Sequence, residues 1–250
     1  MLVALTNGKA GRLKSEVPSG TSWRQVFRAS EDLLTASVFG RLTYLDGPAL
    51  WTILRSTFPG LPDYRMVELL DVEFWPRWLE EGEESTVEPD VFLQFQVGDP
   101  AVRIDVIVEA KFGTAPAQYA NQWRRQWTAY HAAREQEGED VPQNVYLMAI
   151  GGMGARAPLH VERLLKELGK QDLQIRALAA NWSDLLESLE DFLGKSVVRR
   201  DRRIVTDMIE ALALANYRQV ETLNTLPAPA QKWRMEAIAA LADYDFRKTP

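Results

Sequence analysis

A chain of 250 residues, 46% hydrophobic and 26% charged, has an ordinary globular balance and enough length to bury a sizeable core. The absence of Cys excludes disulfides, thiolate metal sites and cysteine nucleophiles, and with only His131 and His160 as imidazoles any metal would be a hard cation on carboxylate oxygens. A formal net charge of −6 argues against coating nucleic acid by bulk charge and leaves local basic patches open, while apolar runs no longer than a strand predict no membrane span and a cytoplasmic protein.

Residues 1–21, with Gly8, Gly11 and Gly20, read as an N-terminal arm. Helical spacing begins at Ser22, and Val26, Phe27, Leu33, Leu34, Val38 and Leu42 recur at three- and four-residue steps. Asp46-Gly47-Pro48 interrupts it, and a second helix is expected over 49–56. Residues 67–75 read as a strand. The acidic stretch Glu80, Glu81, Glu83, Glu84 and Glu88 reads as a solvated loop. Two Val-, Ile- and Phe-rich runs, 91–97 and 102–112, flank the turn residues Gly98-Asp99-Pro100 and predict a hairpin. A helix is expected over 114–135, a strand over 145–150, a helix over 159–168, a strand over 173–178 and a helix over 182–192. Beyond Gly194 the pattern is helical, over 200–217 and 231–242, with Pro227 and Pro229 between. The chain therefore reads as α/β, with an arm (1–21), a main domain (22–193) and a helical C-terminal extension (194–250).

The chemistry concentrates in Glu88-Pro89-Asp90 and Glu109-Ala110-Lys111. Asp90 opens the first strand of the hairpin, and Glu109 and Lys111 lie near the end of its partner. Side chains two apart on a strand share a face. Asp105, Ile107, Glu109 and Lys111 therefore line one face, and Val106, Val108 and Ala110 line an apolar one. Three charged groups on one face of a central strand are costly unless they are paired or bind something. Asp90 and Glu109 on adjacent strands can hold Mg²⁺ or Mn²⁺, which take carboxylate oxygens and keep several waters. A bound water then becomes a better nucleophile, and Lys111 can orient or deprotonate it and offset negative charge.

Asp90, preceded by Pro89, with Glu109-Ala110-Lys111 on a second strand, resembles the PD-(D/E)XK nuclease superfamily. The expected element order also resembles its restriction-endonuclease-like αβββαβ core, a central mixed sheet flanked by helices. Gln126-Trp127-Thr128-Ala129-Tyr130 resembles the QxxxY motif of the RecB-like branch, and Glu31 resembles the glutamate that family members often carry in their first helix. The resemblance covers roughly residues 22–155. It implies Asp90 and Glu109 as metal ligands, Glu31 as a looser third, Lys111 as the catalytic lysine, and Gln126 and Tyr130 lining the site against phosphate or a neighbouring carboxylate. Asp105 competes for the aspartate role, but it shares a strand with Glu109 and would leave the partner strand without a ligand.

Each of these residues also has a plain structural use. Asp90 serves as a turn residue after Pro89, and Glu109 with Lys111 as a surface charge pair. Gln122, Gln126, Tyr130, Trp123 and Trp127 serve as a helix face packed on the sheet. His131 and His160 read as exposed helix residues without a ligand role. Arg124 with Arg125, and the segment from Lys195 through Arg199, Arg200, Arg202 and Arg203, are basic clusters suited to phosphates or to pairing with the many glutamates.

The function that the resemblance implies is metal-dependent hydrolysis of DNA phosphodiesters, with RNA second, as the effector of a defence or repair system. The rival reading is a catalytically silent subunit of the same fold. It would bind a protein or nucleic-acid partner in a larger complex, with the C-terminal helices as a docking element for a partner or a second copy.

Overall fold

The computed structural model describes residues 30–80, 85–113, 115–154, 156–170 and 173–218. These all belong to one compact unit, Met1–Arg218. The expected arm, the first part of the leading helix, Glu81, Glu83, Glu84, the two prolines of the tail and the helix over 231–242 lie outside the described residues.

The fold is α/β. Its five-stranded sheet has the order β1-β4-β5-β6-β7, from β1 (Val67–Phe74), β4 (Val91–Val97), β5 (Val102–Ala110), β6 (Asn144–Ile150) and β7 (Ala177–Ala180). β1, β4 and β5 are antiparallel neighbours, whereas β5, β6 and β7 run parallel, so the sheet is mixed. A small hairpin of β2 (Trp78–Leu79) and β3 (Thr86–Val87) stands apart from it. The helices are α1 (Glu31–Leu42), α2 (Gly47–Thr57), α3 (Ala120–Glu137), α4 (Ala157–Gly169), α5 (Trp182–Lys195) and α6 (Arg199–Leu214). Among the described residues no helix is long and apolar enough to cross a membrane.

β5 is the central strand, and its alternation divides the core. Ile104, Val106, Val108 and Ala110 join Leu34, Phe39, Trp51, Leu185 and Leu212 in the large cluster beneath α1, α2, α5 and α6. Ile107 points the other way, into a cluster with Trp78, Phe92 and Tyr130 beneath α3. α4 closes the rest of that face with Leu164 and Leu168 packed on Leu147 and Trp123. α6 lies inside the stretch expected as an extension, and its Val205, Met208 and Leu212 are buried in the same cluster as the sheet.

Several boundaries differ from expectation, each for a local reason. α1 starts at Glu31 because Ser30 is extended and its Oγ accepts from Leu33 N at 3.2 Å, an N-cap. α3 starts at Ala120, six residues later than expected, because Ala117 N donates to Gly152 O at 2.8 Å and Tyr119 is extended, so the segment before the helix is held against the end of β6. The helix stops at Gly138, which is left-handed at φ +69°. β7 is set by its parallel register, in which Ala177 faces Leu147, so Leu173 and Ile175 pack beneath α4 as core residues.

The acidic stretch is not simply solvated. Glu80, at the end of the β2–β3 hairpin, pairs with Arg125, and Glu88 pairs with Arg77. His160 is also not exposed. It is 8% accessible, donates from Nε2 to Gln118 O at 3.2 Å, and accepts at Nδ1 from Arg163. That tautomer follows from the carbonyl partner.

The end of β6 is built against the segment after β5. Gly151 has φ +72°, and a Cβ there would stand 2.1 Å from Lys111 O and 2.7 Å from Trp182 Nε1. Gly151→Ala should destabilise the protein by about 2–4 kcal/mol, combining left-handed strain with a backbone clash. Urea unfolding checks this, and an unchanged midpoint refutes the close packing of the two segments.

Candidate active site

The carboxyl end of β5 carries the site. Asp90 extends the ladder at the start of β4: its N–H donates to Val108 O at 3.1 Å, and its carbonyl accepts from Trp75 N at 3.1 Å. Its carboxylate turns back on the neighbouring strand, where Oδ2 accepts from Ala110 N at 2.8 Å. Asp90 is thus a buried bend residue just before β4, bound to the neighbouring strand rather than solvated.

Glu109 is 1% exposed and lies beneath α3. Lys111 Nζ and Gln122 Nε2 donate to its Oε1, and Gln126 Nε2 donates to Oε2. Lys111 follows the last residue of β5, yet its N–H still donates to Ile150 O at 2.8 Å. This keeps its side chain on the Glu109 face. Lys111 Nζ also lies 3.4 Å from Glu31 Oε1, while Glu31 Oε2 accepts from Phe112 N. The first residue of α1 is therefore bound to the segment that leaves β5.

Charge at the site is concentrated and poorly solvated. Burial, and then the nearby Glu109 charge, push the Asp90 carboxyl well above its usual range. Burial raises Glu109 too, although Lys111 and Gln126 pull it back. Burial opposes the Lys111 charge, but Glu109, Glu31 and Asp90 outweigh it and hold the ammonium above its ordinary pKa. Glu109 and Glu31 thus share one ammonium, with Asp90 within electrostatic reach of it.

A second layer fixes the backbone around them. Gln118 Nε2 spans Glu109 O and Gly151 O, and its Oε1 accepts from Trp123 Nε1 at 2.9 Å. Trp182 Nε1 donates to Lys111 O at 2.9 Å. Gly113 N donates to Tyr217 Oη at 2.9 Å, just beyond α6. A cleft of about 520 Å³ is lined in part by Tyr119, Asn121, Gln122, Arg125 and Gln126; Gln122 and Gln126 bond Glu109, which does not itself line it.

The expected residues do not all converge. Asp90, Glu109, Lys111, Glu31 and Gln126 come together. Tyr130 does not touch Glu109. It is fully buried, and its hydroxyl donates to Asp105 Oδ2 at 2.7 Å. Asp105 is also fully buried, and Arg103 binds its two oxygens at 2.8 and 3.0 Å. Asp105 is therefore spoken for at the other end of the same strand face.

The basic clusters separate as well. Arg125 borders the cleft and pairs with Glu80, and Arg124 holds Asn121 at 2.9 Å. Arg199, Arg200, Arg202 and Arg203 lie in the first turns of α6, whose 16 residues span about 24 Å, while Tyr217 meets the site beyond its far end. Arg200 pairs with Asp201 at 3.2 Å, and Arg202 caps carbonyls of the preceding helix at Leu193 and Ser196.

Sequence reasoning missed Gln118 and Gln122 as site residues. They repeat at the four-residue step that ends in Gln126, a signal that was readable. Tyr217 and Trp182 gave none, because only the tertiary fold brings them to the segment after β5.

The donor set suits a hard cation, since it offers carboxylate oxygens and a buried Gln126 Oε1 that has no hydrogen-bond partner. Among the described residues no three His, Cys, Asp or Glu side chains are already arranged around a metal position. Lys111 and the two glutamine amides hold Glu109 instead.

No family model matches the chain, and no solved structure matches it. It is 28% identical over 239 residues to an uncharacterised protein of Pasteurella multocida strain Pm70, spanning 90% of this chain and 85% of that one.

Tyr130 and Gln126 lie four residues apart but serve different carboxylates. Tyr130→Phe should cost about 1.5–3 kcal/mol by taking a hydrogen bond from buried Asp105, measured by urea unfolding. A loss under about 0.5 kcal/mol would show that Arg103 alone satisfies Asp105.

Proposed function

We propose that the chain is a metal-dependent nuclease of the PD-(D/E)XK kind, hydrolysing DNA phosphodiesters with Asp90, Glu109, Lys111 and Glu31. The observation that carries this reading is the meeting of Glu109 and Glu31 on one ammonium, Lys111 Nζ, with Asp90 on the adjacent strand. A structural charge pair needs one carboxylate, whereas this lysine has three within electrostatic reach. The mixed sheet flanked by helices is compatible with the restriction-endonuclease-like core.

Asp90, Glu109 and the outer Glu31 would hold a Mg²⁺ or Mn²⁺ ion, provided Lys111 moves off Glu109. When bound, the cation supplies a more acidic water and an electrophilic partner for phosphate oxygen. The chain's own groups do the rest. Lys111 Nζ, kept charged by its neighbours, works as a fixed cation that orients water and offsets charge growing on the phosphate. This favours the orienting role over the deprotonating one. Gln126 and Gln122 fix the position of the Glu109 carboxylate. Tyr130 acts at a distance, by fixing Asp105 and with it the strand.

One observation favours the second reading, a silent subunit: both oxygens of Glu109 are already taken by protein donors. Plasmid nicking separates the two. Wild type should nick DNA in Mg²⁺ or Mn²⁺, and Lys111→Ala and Asp90→Ala should each lose about 10²-fold or more. Equal cleavage by the variants, or none by wild type with any divalent ion, overturns the nuclease reading.

Metal binding can be read without activity. Mn²⁺ at about a hundredfold excess over its Kd should stabilise wild type by about 2.7 kcal/mol. The effect should vanish in the doubly substituted Asp90→Asn, Glu109→Gln protein. Stabilisation of both proteins by the same amount would place the ion elsewhere.

A further inference from the structure

A groove of about 830 Å³ lies away from the candidate active site and runs along the edge of the sheet at β7. Among the described residues β7 is a terminal strand with β6 as its sole sheet neighbour. Leu147 N donates to Arg176 O and Gly151 N donates to Ala180 O, both at β6. Even-numbered residues therefore turn their backbone toward β6, and the alternation of a strand turns Ala177 and Ala179 outward. Their peptide groups face the groove, and Ala177, Leu178 and Ala179 are only half-buried.

The side chains give the groove a definite character. Ala157 and Val161 of α4 form one apolar wall and Pro59 part of the other. The charged residues lining it are Glu162, Asp184, Glu187 and Asp191, with no Lys, Arg or His among them. Asp191 is paired with Lys195 at 2.6 Å, and Asp184 closes the capping box of α5. Glu162 and Glu187 have no hydrogen-bond or ion-pair partner among the described residues. Burial, together with the Glu187 charge, raises the nearby Glu190 carboxyl. An open sheet edge of this kind invites another strand, and proteins usually blunt it with a lysine or a proline. Here the rim is acidic.

The geometry points to β7 as a docking edge for an extended segment of another protein, with small apolar residues in alternation and Lys or Arg on its flanks. The segment adds a sixth strand through the outward peptide groups of Ala177 and Ala179, over a length of about 13 Å. Small side chains fit because the floor is alanine and the walls stand close. The basic flanks answer Glu162 and Glu187. This surface does not depend on the nuclease reading and would serve either function.

The test is fluorescence anisotropy on the full chain, with a labelled peptide of alternating Val and Ala carrying two Lys at each end. Saturable binding in the micromolar range is expected, weakening as salt rises. Ala179→Pro removes one outward N–H while leaving the β6 side of the ladder intact, and should weaken binding about tenfold or more. Glu162→Lys with Glu187→Lys should weaken it similarly and abolish the salt dependence. Urea melts verify that each variant folds. If Ala179→Pro does not fold, the charge-reversed protein and a peptide with Asp flanks decide in its place. Amide exchange should slow at Ala177 and Ala179 when peptide is added. No saturation up to about 1 mM, or binding indifferent to both substitutions, overturns the proposal. Light scattering that shows the peptide merely separating two copies of this chain overturns it too, since the edge then belongs to a dimer.

Discussion

Two carboxylates sit on the inner strand of a sheet, and the rest of the fold is arranged to make that tolerable. Asp105 and Glu109 lie four residues apart on the α3 face of β5, at 0% and 1% exposure. Neither can stay ionised there without partners. Asp105 is satisfied within its own layer by Arg103 and Tyr130. Arg134 then stacks over Tyr130 and Phe92 and pairs with Glu139, which also binds Arg103. Each charge in that network has a partner, although Arg134 Nε is buried without a hydrogen bond.

Glu109 is solved differently. Its partners are a lysine that is shared with Glu31, and two amides on α3, one of which keeps an unsatisfied oxygen. Asp90 adds a further buried carboxylate beside it. The same strand face thus holds one network in which every charge is paired and one in which a single lysine serves two carboxylates. Stability alone explains the first. The second is the kind of local imbalance that accompanies a ligand.

Much of this was legible from residue order. Alternation over 91–97 and 102–110 set the register, so Asp90 had to lie beside the end of β5, and Glu109 had to share a face with Lys111. The four-residue spacing of Gln126 and Tyr130 set a helix face, but it could not say which carboxylate each would meet. A strand carrying acids four residues apart presents two targets about 13 Å from end to end, and a helix crossing it divides its side chains between them. Local pattern also failed where partners come from far away. Glu80 looked solvated until Arg125, 45 residues on, arrived to pair with it. His160 looked exposed until the Gln118 carbonyl reached it. Helix α3 began late because the segment before it is bound to the end of β6.

The bonds around the segment after β5 join distant parts of the chain. Phe112 reaches back 81 residues to Glu31, and Gly113 reaches forward 104 residues to Tyr217. The candidate site is therefore tied at once to the first described helix and to the segment just beyond the last. During synthesis the strands bearing Asp90 and Glu109 leave the ribosome well before Tyr217 does. A growing chain can pair β4 with β5 and bury its acids, yet the loop beyond Lys111 stays without its far anchor until Tyr217 has been made. Long-range closure of this kind is slow to form. It makes assembly of the pocket a late event in the life of each molecule, so that a truncated product carries the residues without the geometry.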